Sequence, residues 1–127
     1  MKYLRIVNLA IAIITIISGL MQLISPSSVL GMVGVEITPT TQQLFATIGM
    51  FMIMFGALMV HAIYSIAQNG AAVLWSALQK IGASIAVFIG IFHHLFSPLA
   101  ALVASFDFFS FILLIIYYRN ISKLNIT

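Results

Sequence analysis

Away from its two ends, this 127-residue chain carries six side chains that can exchange a proton or hold an ion: Glu36, His61, Lys80, His93, His94 and Asp107. Asp107 is the most telling. It stands among Phe106, Phe108 and Phe109, with no local charge to solvate it. A carboxylate in hydrocarbon is costly unless it is paired or protonated. Such a group serves as a proton or cation site, or as the partner of a cation on another chain. The plainer alternative is a protonated carboxyl hydrogen-bonded inside a bundle, with Thr15 as its partner. His93, His94 and Glu36 are weak candidates for a metal site. Adjacent helical residues point about 100° apart, so the two histidines do not chelate one ion as an i,i+4 pair does. Two interfacial histidines near a helix end are the plainer reading. His61 reads as a hydrogen-bonded residue inside a bundle. The chain has no cysteine, which excludes disulfides, thiolate nucleophiles and cysteine metal sites. It has no HExxH zinc motif, hydrolase elbow or phosphate loop. A non-catalytic protein without a cofactor is expected.

Composition dictates the elements that position these residues. The chain is 63% hydrophobic and 6% charged, with a mean hydropathy of +1.23. Ordinary soluble domains are about half apolar and about one quarter charged. Five basic and two acidic side chains cannot coat a globule of this size in water, so a soluble monomer is excluded. Disorder is excluded for the same reason. A bilayer core needs about 20 apolar residues per helix, and four runs supply them: 4–25, 41–65, 71–96 and 99–118. Turn chemistry separates the runs at Ser25-Pro26-Ser27-Ser28, Gln68-Asn69-Gly70 and Ser97-Pro98. Backbone groups in lipid must be paired within their own segment, so each run is read as a helix. The first run is too long for a signal peptide and no A-x-A site follows it.

The expected fold is therefore all-α: one integral membrane domain over residues 1–127, an up-down-up-down four-helix bundle. Residues 26–40 are apolar despite Gly31, Gly34 and Pro39. They are expected to form a partly ordered interfacial loop, with a short turn capped by Ser27. Lys2, Arg5, Arg119 and Lys123 place both termini in the cytoplasm by the positive-inside rule, most simply at the plasma membrane. These basic residues flank apolar runs and form no face for nucleic acid.

Lipid is as apolar as leucine, so small residues and interhelical hydrogen bonds bring membrane helices together. On the first run Asn8, Ala12, Thr15, Gly19 and Gln22 form one stripe. On the second, Gly49 aligns with Gly56. On the third, Gly82, Ala86 and Gly90 form a ridge expected to contact another helix, on one face with Gln79 and His93. On the fourth, Ala100, Ala104, Asp107 and Leu114 align. A rise of about 1.5 Å per residue puts Thr15 and Asp107 near mid-membrane. Asn8, His61 and Lys80 then fall in the inner layer, and Gln22, His93, His94 and Glu36 in the outer one. Lys80, counted from Phe96, comes out roughly 9 Å inward of Asp107. It is expected to snorkel to the inner interface rather than to pair with Asp107. Asp107, left without a cation on its own chain, is expected to be neutral.

Gly19, Pro26, Gly31 and Gly34, followed by Leu44-Phe45-Ala46-Thr47-Ile48-Gly49-Met50-Phe51, resemble small DoxX-like and related four-helix membrane families. The resemblance runs loosely over the whole chain. Such families often carry a basic residue just before the glycine segment of the second helix, where Gln42, Gln43 and Phe45 stand here. The resemblance implies a fold and no particular activity. Three functions then stand in order. The first is a non-catalytic accessory subunit of a larger membrane complex, by analogy with respiratory or copper-monooxygenase assemblies. Its partners would be lipids and other membrane subunits, or further copies of this chain. The second is a small proton- or cation-coupled transporter or channel using Asp107. The third is a membrane metal site of His93, His94 and Glu36.

Overall fold

The computed structural model describes residues 2–65 and 69–126, with side chains as far as Ser122. Gln68 of the second expected turn and the side chain of Lys123 lie outside the described residues. Five helices follow one another: α1 Lys2–Ile24, α2 Pro26–Val33, α3 Pro39–Tyr64, α4 Gly70–Phe92 and α5 Ala100–Ile126. All but α2 are long and apolar enough to cross a membrane. The protein is an integral membrane four-helix bundle, with α2 lying between the first two spans.

The segment expected as an interfacial loop is thus partly helical. Pro26 opens α2 in the first turn, where its missing N–H costs nothing. Ser25 is the N-cap rather than Ser27, and its side chain makes no capping bond. The helix closes in a Schellman motif. Gly34 has φ 74°, its N–H donates to Gly31 O at 3.3 Å, and Val35 N–H donates to Leu30 O at 3.0 Å. Only glycine takes that conformation without strain. Leu30 is fully buried and anchors α2 to the bundle. Thr38 then starts α3 with a reciprocal cap. Thr41 N–H donates to Thr38 Oγ1 at 3.1 Å, and Thr38 N–H donates to Thr41 Oγ1 at 2.8 Å.

The spans associate as two hairpins, α1 with α3 and α4 with α5. On α1 the buried residues are Asn8, Ile11, Ala12, Thr15, Gly19 and Gln22, which is the predicted stripe with Ile11 added. Gly19 and Gly49 sit backbone to backbone. A Cβ on either would lie 2.6 Å from the carbonyl oxygen of the other. Gly56 meets the backbone carbonyl of Ala12 in the same way, and also the side chain of Ile16. Gln22 Nε2 donates to Phe45 O at 2.9 Å, and Arg5 Nη2 donates to Ile63 O at 3.0 Å near the C-terminus of α3. A cation there also suits the helix dipole.

On α4 the buried face differs from the expected one. Gly82 and Ala86 are exposed, and nothing lies within 4 Å of a Cβ built on Gly82. The helix instead buries Val73, Ser76, Ala77, Lys80 and Ser84. An ammonium and two hydroxyls cost more in lipid than a small-residue ridge gains by contact, so the polar stripe turns inward. Gly90 does pack, and the group nearest to it is the ring of Phe96 from the segment that follows its own helix.

That contact marks a second departure. α4 stops at Phe92, four residues before the apolar run ends. His94 takes φ 60°, and the N–H groups of Leu95 and Phe96 both donate to Gly90 O. The chain therefore hooks back on itself before α5. Ser97 N–H donates to Val33 O at 2.7 Å and Ser97 Oγ to Met32 O at 3.3 Å, tying the hook to α2. At the opposite end Met59, Ile63, Val73, Leu114, Tyr117 and Ile121 fill the space between the hairpins. Tyr117 is a core residue here, while Tyr64 and Trp75 are exposed.

Candidate functional site

Lys80 joins three helices at mid-bundle. Its Nζ donates to Thr15 Oγ1 on α1 at 2.7 Å and to Asp107 Oδ1 on α5 at 3.4 Å. It also lies 5.4 Å from the centroid of the Phe106 ring. All three polar partners are buried. Lys80 therefore does not snorkel, and Asp107 has a cation on its own chain. The hooked turn explains both corrections. Phe96 lies at the height of Gly90, so depth must be counted from Gly90. Ten residues separate Gly90 from Lys80, and ten separate Ser97 from Asp107, so the two charges fall level. The expected Thr15–Asp107 hydrogen bond gives way to one through Lys80, while Thr15 Oγ1 donates its own hydrogen to Ile11 O at 2.9 Å.

Neighbouring hydroxyls brace the pair. Ser84 Oγ donates to Ala104 O at 2.9 Å and locks α4 to α5 one turn outward of Lys80. Ser110 Oγ donates to Phe106 O at 2.7 Å. On the inner side Asn8, fully buried, donates to Leu4 O at 2.9 Å and Leu113 O at 3.4 Å and links α1 to α5. A chamber of about 10 Å³, close to the volume one water needs, lies between Thr15, Ser76, Gln79 and Lys80. Ser76 Oγ and Gln79 Oε1 are buried with no partner among the described residues. Ser76 was not singled out by motif. Its signal is the spacing Ser76-x-x-x-Lys80-x-x-x-Ser84, a polar stripe on an apolar helix.

Outward of the pair the two hairpins diverge around a cavity of about 350 Å³. Lys80, Asp107, Gln22 and Gln79 are its polar lining. Val29 and Val33 of α2 and Phe96 of the hook lie at its outer end. Ile48, Ala86 and Val103, one on each of α3, α4 and α5, line it and are exposed. The cavity is open rather than sealed, and these three residues lie within the apolar spans. Among the described residues the remaining candidates do not join it. Glu36, His61, His93 and His94 are all exposed. His61 lies in the last turn of α3, exposed beside the buried Ala62 and Ile63, and so is not the bundle-interior residue expected. Among the described residues no group of three or more His, Cys, Asp or Glu side chains converges, so Glu36 and the two histidines form no such cluster.

Fold and site together define a four-span membrane protein with a lysine–aspartate pair at the base of a cavity between its two helix hairpins. Compared with protein-family models, curated proteins and solved structures, the chain matches none of them.

Proposed function

We propose that the protein binds a lipid-soluble small molecule, taken up sideways from the bilayer and held against Lys80 and Asp107. The observation that carries this reading is the cavity of about 350 Å³ with a buried charge pair at its base. Binding pockets are largely apolar with a few converging polar groups, and lie in this size range. An intramembrane ion pair that faces such a space is a functional site by default. Conduction by Asp107 is less well supported, because the core around Leu114 and Tyr117 fills the inner half. The basic residues Lys2, Arg5 and Arg119 support cytoplasmic termini and a plasma-membrane location.

Native mass spectrometry of the protein purified in mild detergent tests the binding reading. Wild type is expected to retain small-molecule or lipid adducts that Ala83→Phe, which fills the cavity, has lost. Equal retention by both would defeat the reading.

One observation favours the accessory-subunit reading as well: Gly82 is exposed, and nothing lies within 4 Å of a Cβ built on it. Small-xxx-small ridges let backbones approach closely in membranes. Gly82→Leu should then leave the stability of the isolated chain within about 0.5 kcal/mol of wild type and abolish co-migration with other subunits on native gels. Unaltered co-migration, or none in wild type, would remove this reading.

A further inference from the structure

We infer that the molecule held in the cavity is an uncharged amphiphile with a hydroxyl head, which bridges Lys80 and Asp107. This rests on the binding reading above and names the chemistry of its ligand. The ion pair is loose. Its 3.4 Å separation compares with about 2.7–2.9 Å for a well-formed bond between ammonium and carboxylate. The short bond of Lys80 goes instead to Thr15, at 2.7 Å. Among the described residues no donor reaches the other carboxylate oxygen of Asp107, and that oxygen is not sealed off from the cavity. The side chain of Asp107 is 12% exposed and that of Lys80 8%.

The pair presents one free acceptor, one loosely held cation and no net charge. An anionic head satisfies Lys80 but is repelled by the carboxylate beside it. A protonated amine has the converse problem, and either one brings an unbalanced charge into a medium of low dielectric constant. A ketone or ester only accepts, so its arrival would cover the carboxylate oxygen without supplying a donor. A hydroxyl donates and accepts at once. It can give its proton to Asp107 and receive a bond from Lys80, with charge balance unchanged. The walls fix the rest of the molecule. Val29, Val33, Ile48, Met52, Val87 and Val103 surround an apolar chain that leaves through the opening of the cavity.

Four probes with equal tails test the assignment: 1-decanol, 2-decanone, decanoate and decylamine. Each is titrated into the detergent-solubilised protein, and its apparent affinity is read from the rise in unfolding temperature. Wild type is expected to bind 1-decanol about tenfold more tightly than any of the others, the worth of one hydrogen bond to a charged group. Ala83→Phe and Ile48→Phe should each abolish binding of 1-decanol. Preference for decanoate, decylamine or 2-decanone, lost in the filled variants, would overturn the hydroxyl assignment and leave the binding reading intact. Responses that are the same in wild type and in whichever filled variant folds would overturn both.

Discussion

Lys80→Met is expected to cost about 3–5 kcal/mol of stability, because it leaves the buried Asp107 carboxylate without its counter-charge. Methionine matches the length of the lysine stem, so the loss would come from charge rather than from a hole. The hydrogen bond to Thr15 at 2.7 Å goes too, but that threonine still donates to Ile11 O and is left with little unsatisfied. Asp107→Leu should cost a similar amount by stranding the ammonium. The double variant Lys80→Met/Asp107→Leu is expected to regain most of either loss, since apolar side chains of similar volume often replace a buried ion pair at little cost. Reversible unfolding in mixed micelles measures all three. Losses that simply add in the double variant would show that the two residues do not act as a pair.

Gly49→Leu is expected to lower stability by about 3 kcal/mol, at the upper end of what overpacking usually costs. Gly19 and Gly49 bring α1 and α3 together through their backbones, and a Cβ on Gly49 would lie 2.6 Å from Gly19 O and 2.9 Å from Leu23 N. Backbone atoms cannot swing aside as the tip of a side chain can, so the helices themselves must separate. Gln22 would then draw away from Phe45 O, breaking the bond at 2.9 Å. Gly49→Ala should show the same effect at smaller size. Gly31→Ala is the control. A Cβ there meets nothing within 4 Å, and alanine is the better helix former by about 1 kcal/mol. The same unfolding measurement should find Gly31→Ala neutral or slightly stabilising. Equal losses at Gly31 and Gly49 would mean that backbone contact is not what joins the first hairpin.

The spans and the α1 interface were legible because lipid leaves few choices. Twenty apolar residues in a row must be helical, and a helix with polar atoms at Asn8, Thr15 and Gln22 must turn them inward. Gly19, Gly49 and Gly56 followed from the same logic. What failed was geometry set by tertiary contacts. Counting residues from Ser97-Pro98 assumes that the turn caps the end of α4, whereas the chain folds back to place Phe96 on Gly90. Measured from the wrong end point, Lys80 falls inward of Asp107, at a depth from which a lysine can snorkel. The buried face of α4 differs from the expected one for a related reason. Glycine spacing and charge burial point to different sides of the helix, and the ammonium prevails. The two turns of α2 were hidden because Pro26 and Gly34 read as loop residues until the residues between them are seen to be helical, with Pro26 at the first turn and Gly34 just past the last.

Lys80 and Asp107 belong to consecutive spans, and this bears on how the chain enters the membrane. α4 is the least apolar of the four spans, and a lysine at the centre of an isolated helix opposes insertion by about 2.5–3.5 kcal/mol on translocon-derived scales. Asp107 would impose a comparable penalty on α5 alone. Delivered together, the two helices carry no net intramembrane charge, with Ser84 already bonded to Ala104 O. Entry of the second hairpin into the bilayer as one unit would therefore avoid both penalties. A ribosome that stalls before Asp107 has emerged would hold α4 at the lipid boundary, with its lysine still facing water.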